Sequence, residues 1–231
     1  MPKEPVEVQV RAGAEADLPE LTALYNHYIR ETPITFDTTV FSPEQRRPWL
    51  RSHPEDGPHR LLVARDVRYA ENRPGSAPGD TEADRQGHRP GRDPADDPAD
   101  DPADDPADRQ EQHAPADRPE SRPWGGLLGY ATSSPLRPKA AYDTSVEVSV
   151  YCAPEAAGLG VGTLLYKSLF EALEGEDLHR AYAGITQPNE ASTRLHTRFG
   201  FRPVGTYREV GRKFGRYWDI TWYEKELGPQ V

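Results

Sequence analysis

Residues Thr144–Leu173 read TSVEVSVYCAPEAAGLGVGTLLYKSLFEAL, and this stretch decides the fold. It opens as an alternation of polar and apolar residues through Cys152, the pattern of a half-buried strand. It closes, from Val161 on, with apolar residues at helical spacing. Between the two, Gly158, Gly160 and Gly162 stand at every second position. Glycines so spaced let backbone N–H groups turn toward one point, and the helix behind them adds unpaired N–H groups and the positive end of its dipole. The segment reads as strand, anion cradle and helix in succession; a plain glycine-softened turn is the other reading. A P-loop would need Gly-Lys-Ser/Thr at the helix entry, and Gly162 is followed by Thr163 with no lysine before it. A dinucleotide fingerprint would follow the first strand of its unit and place an acid at the end of a second strand. Here Glu174 and Glu176 fall within or just after the helix.

Working outward, the 231 residues suit one ordinary domain with an addition. Residues 70–123 hold 15 acidic and 7 basic side chains, −8 of the formal −10, so the acidity belongs to a segment. That segment contains four tandem copies of Asp-Pro-Ala-Asp from Asp93 to Asp108. It has too little apolar surface to offset the entropy of ordering, and it lacks the glycine and bidentate glutamate of a calcium loop. We expect a single domain over 5–227 with a disordered Asp/Pro-rich insertion at 70–123. The one cysteine, Cys152, excludes an internal disulfide framework, and MPKEPVEVQV has no apolar signal region. No stretch approaches a membrane span, and no basic stripe with interleaved aromatics suggests nucleic acid. The expectation is a cytoplasmic protein with no membrane or nucleic-acid partner.

Upstream, Val6–Arg11 alternates as a strand, and Leu18, Leu21, Leu24, Tyr25 and Tyr28 mark an amphipathic helix. Ser42-Pro-Glu-Gln45 is a capping box opening a second helix to Leu50. Strands are expected at Leu61–Val67 and Gly125–Ser134, with the insertion at the tip of their hairpin. Downstream come a strand at Ala181–Thr186, a helix across Glu190–Phe199 and two aromatic-rich strands.

The order β-α-α-β-β-β-α-β-α-β-β, with the cradle directly after the fourth strand, resembles the GCN5-related N-acetyltransferases (GNAT), specifically their phosphinothricin acetyltransferase-like branch. The resemblance spans roughly residues 6–227, omitting the insertion. It implies an α/β fold: a mixed, mostly antiparallel sheet of about seven strands flanked by about four helices. It also implies an acetyl-CoA-dependent N-acetyltransferase needing no metal, and a possible homodimer. The branch's acceptors are small amino-acid-like amines of the phosphinothricin or methionine sulfoximine type.

On that resemblance, the backbone of Gly158, Leu159, Gly160, Val161, Gly162 and Thr163 would bind the coenzyme pyrophosphate. Ala157 departs from the Gln or Arg usual before such a loop. Val150 would offer a backbone N–H to the thioester carbonyl, and Asn189 and Ser192 would meet the pantetheine arm. Glu147 matches the branch's general base and His196 its active-site histidine. An amine arrives protonated near neutral pH, so a proton must leave before it attacks. Phe36, Arg137, Lys139 and Tyr142 match residues that meet an anionic acceptor, and Lys213, Tyr217 and Asp219 would shape the pocket or a dimer contact. Cys152 has no neighbouring base in sequence and reads as a small core thiol. Two readings stay open beside this one: an acetyltransferase for another amine, such as a polyamine or a protein N-terminus, and a non-catalytic acyl-CoA-binding module.

Overall fold

The computed structural model describes residues 6–71 and 124–228, all within one compact unit. From residue 72 to 123 the expected insertion lies outside the described residues. The elements are β1 (Val8–Ala12), α1 (Leu18–Glu31), α2 (Pro43–Arg51), β2 (Leu61–Asp66), α3 (Val67–Glu71), β3 (Leu127–Pro135), β4 (Ser145–Cys152), α4 (Val161–Ala172), β5 (Arg180–Gln187), α5 (Glu190–Arg198), β6 (Arg202–Lys213) and β7 (Arg216–Glu226). This is the expected order with one addition, the short α3 after β2. The Ser42 cap forms as a reciprocal pair, Ser42 N–H to Gln45 Oε1 and Gln45 N–H to Ser42 Oγ.

Seven strands make one sheet in the order β1-β2-β3-β4-β5-β7-β6. Every neighbouring pair is antiparallel except β4 with β5. That parallel pair is short, running only from Ser145↔Arg180 to Glu147↔Tyr182. Beyond it each strand follows its antiparallel partner, β4 staying on β3 as far as Cys152 and β5 on β7 as far as Gln187. The sheet therefore opens in its middle, directly after Glu147.

Helices cover both faces. Tyr130 of β3 meets Trp49 of α2, whereas an added side-chain carbon on Gly129 beside it would meet Leu165 of α4. Leu18, Leu21 and Leu24 of α1 and Leu165, Tyr166 and Leu169 of α4 are buried, as their three- and four-residue spacing requires. Asp17, only 2% exposed, joins β1, β2 and α1 by accepting from Arg11 (2.7 Å) and Arg65 (2.9 Å). Burial alone would raise its carboxyl, but the bonds from Arg11 and the Ala14 amide and the charge of Arg65 hold it below the ordinary 3.8. Because the folded value is depressed, this stability is present above pH 3.8 and is lost as pH falls through the folded value. Asp17→Asn is expected to cost about 2–3 kcal/mol at pH 7, less than the ~3–5 of a fully buried pair because Arg11 is half-exposed. Denaturant unfolding at pH 7 and pH 3 checks it: the deficit should shrink at the lower pH.

Candidate active site

The glycine loop adopts the backbone its residues allow. Gly158 (φ 79°) and Gly160 (φ 77°) are left-handed, and a side-chain carbon added at either would meet nothing within 4 Å. Glycine is thus required by the backbone angle, and the space in front of the loop is open. Gly160 caps α4 without any side-chain cap bond, which leaves the first N–H groups of the helix facing outward. Arg198, at the end of α5, reaches the same helix start and donates to Thr163 Oγ1 at 3.4 Å.

Next to the loop lies the opening between β4 and β5. Val148, Ser149 and Val150 line one side, Ile185 and Thr186 the other, and α5 contributes Asn189, Ser192 and His196. Asn189 caps α5 by accepting from the Ser192 N–H at 3.1 Å. His196 is 3% exposed; its Nδ1–H donates to Ser192 O and its Nε2 accepts from Tyr166 OH, both at 2.8 Å. Burial lowers its pKa, so the ring is a neutral, doubly bonded imidazole.

On the α1–α2 face a groove of about 370 Å³ holds Glu147 among Tyr25, Trp49, Tyr130 and Tyr151, with Arg46 also lining it. Burial raises the pKa of the half-buried Glu147 carboxyl, and the charge of Arg137 pulls it partly back. Arg137→Gln is expected to raise the Glu147 carboxyl further, which an NMR titration of that carboxyl in both proteins reads. An unmoved titration would place Arg137 out of reach of Glu147.

The expected acceptor residues do not share one pocket. Arg137 sits 5.7 Å from the Trp222 ring centre, and with Tyr142, Tyr182 and Tyr207 it borders a separate depression of about 250 Å³. Lys139 is exposed. Phe36 packs against Gly211 of β6, in a loop tied down by buried Lys213, whose Nζ donates to Thr35 O at 2.7 Å. Tyr217 is exposed, and Asp219 accepts from the Glu209 N–H at 2.7 Å. The Cys152 thiol, pushed up to about 11 by burial, is no nucleophile at neutral pH. Among the described residues no cluster of three or more His, Cys, Asp or Glu is placed to hold a metal, and no helix is long and apolar enough to cross a membrane.

Comparison with known proteins agrees with this architecture. The profile of the acetyltransferase (GNAT) family matches residues 88–201. A phosphinothricin N-acetyltransferase of Streptomyces coelicolor is 56% identical over 221 residues, 96% of this chain and 97% of that protein. The chain belongs to the GNAT acetyltransferase family. An N-acetyltransferase of Streptomyces griseus is likewise 56% identical over 227 residues, 98% of this chain and 90% of its own. Among solved structures, the GNAT superfamily phosphinothricin acetyltransferase of Sinorhizobium meliloti in complex with acetyl-CoA superposes with a TM-score of 0.66 at 23% identity, covering 96% of this chain and 89% of that one.

This GNAT enzyme is therefore an N-acetyltransferase, and the non-catalytic reading falls. Sequence reasoning passed over three groups of the acetyltransferase's groove: Arg46, Tyr130 and Tyr151. The signal for Arg46 was its place four residues before Leu50, on the apolar side of α2, where both are buried.

Proposed function

We propose that the enzyme acetylates the α-amino group of a small anionic amino-acid analogue of the phosphinothricin or methionine sulfoximine kind, with Glu147 as general base. One observation carries the reading: Glu147 is the last β4 residue paired with β5, so it stands where the acceptor groove meets the opening between the strands. Ser149 and Tyr151 line both spaces. An amine held in the groove can lose its proton to Glu147, directly or through a water, and attack an acyl group presented in the opening.

Acetyl-CoA, when bound, supplies the thioester acyl group. The open left-handed glycines and uncapped α4 start suit its pyrophosphate, so Gly158–Thr163 would hold that end by backbone N–H groups. Asn189 and Ser192 would line the path of the pantetheine arm, and the Val150 N–H would polarise the carbonyl. His196, with both nitrogens engaged, would set α5 through Tyr166 and Ser192 and release a proton only by exchanging one of these bonds. The names of the two Streptomyces relatives support the acylated atom, and the first also the acceptor class. Arg137 and Lys139 weigh against a polyamine, which they would repel. Residues 5–227 would form the catalytic domain, with the 70–123 segment inserted in it.

The acceptor class is tested by Arg137→Gln/Lys139→Gln. Shielded charge-assisted contacts contribute about 1.5–3 kcal/mol and exposed ones less, so kcat/KM for anionic acceptors should fall roughly tenfold or more. A neutral amine should lose little. Equal losses for both acceptor types would make the loop structural.

A further inference from the structure

The groove contains a buried cation that forms no ion pair among the described residues, although the carboxylates of Asp37 and Glu147 line the same space. Arg46 is 6% exposed, its guanidinium lies 4.3 Å from the Tyr25 ring centre and 3.9 Å from that of Trp49, and Nη1 donates to Leu21 O at 3.0 Å. No carboxylate of the described residues is within ion-pair distance of it. That one hydrogen bond uses one of five N–H donors. Tyr130, which lines the same groove, is 1% exposed; its hydroxyl is met by the Arg46 guanidinium and donates to no acceptor among the described residues. A buried cation with unused N–H donors and a buried O–H without an acceptor each cost stability, and both are satisfied when an oxyanion enters. The guanidinium lies over both the Tyr25 and the Trp49 ring, which restricts its orientation and favours forked donation to a planar or tetrahedral acid group.

We infer that Arg46 and Tyr130 form an anion subsite inside the groove that receives an acid group of the acceptor while Glu147 takes the proton of its amine. The inference rests on the acceptor class proposed above and divides its recognition in two. The buried Arg46–Tyr130 pair binds one acid group, and the exposed Arg137 loop serves whatever extends outward.

Three acceptors test it: phosphinothricin, with two acid groups; methionine sulfoximine, with only the carboxylate; and the carboxamide of methionine sulfoximine, with none. Tyr130→Phe removes the hydroxyl beside Arg46, so KM for an acid acceptor should rise about 3- to 10-fold with kcat and the acetyl-CoA KM little changed. Arg46→Gln should raise that KM about tenfold or more, and Arg46→Lys should recover part of the loss. A KM rise for both acid acceptors assigns the α-carboxylate to the subsite, and a rise for phosphinothricin alone assigns its side-chain acid. Unchanged KM values for both in Tyr130→Phe and Arg46→Gln overturn the subsite and leave Arg46 a packing residue. Should the unmutated enzyme use the carboxamide as well as the acids, the acceptor class itself fails, which is visible before any variant is made.

Discussion

Glu147→Gln is expected to lower kcat by about 10²-fold or more, because the amide keeps the volume and removes the only proton acceptor assigned to the reaction. The fold has little reason to respond. Among the described residues no hydrogen bond or ion pair holds the carboxylate, and its burial already penalises the charged form. Coenzyme affinity should also persist, since the glycine loop lies beyond the far end of β4. Steady-state turnover and calorimetric titration with coenzyme A separate these quantities. Turnover near that of the parent across neutral pH would remove Glu147 as the base. A loss confined to KM would make it an acceptor contact.

Gly160→Asp is the second large effect, and here stability and binding should part company. Aspartate tolerates the left-handed backbone better than most residues, the space around Gly160 is open, and an acid at a helix start is favourable for the helix. Unfolding should therefore change little. The same carboxylate stands where the pyrophosphate is proposed to sit, opposing it by charge and occupying the N–H groups meant for it. Coenzyme A affinity should drop about 10- to 100-fold, about 1.4–2.8 kcal/mol. Gly160→Ala, which brings backbone strain without charge, serves as the control and should lose less affinity. An Asp variant that binds coenzyme A as tightly as the parent would move the cradle elsewhere.

Particular residues show how far the chain could be read in advance. Every strand and every longer helix was legible, because alternation, helical spacing and the Ser42–Gln45 box are local patterns set by backbone geometry. Gly158 and Gly160 were legible for the same reason, since a positive φ is a property of one residue. Other features were not. The packing of Phe36 on Gly211 is a contact between residues far apart in sequence. The engagement of both His196 nitrogens, one by Tyr166 and one by Ser192, likewise depends on α4 lying against α5.

By itself, then, the sequence determined the element order, the cradle before α4, and the presence of a single charge, Glu147, within an apolar strand. The tertiary structure alone decided what stands around that charge. The parting of β4 from β5 follows from each strand holding a different antiparallel partner, a competition between ladders that no local window contains. The burial of Arg46 over the Tyr25 and Trp49 rings, and beside the Tyr130 hydroxyl, depends on α2 packing over β3. Hydrogen bonding within a helix or turn is specified by neighbours in the chain; charge balance and solvent exclusion are specified by neighbours in space, and these fix where a proton or an anion can be held.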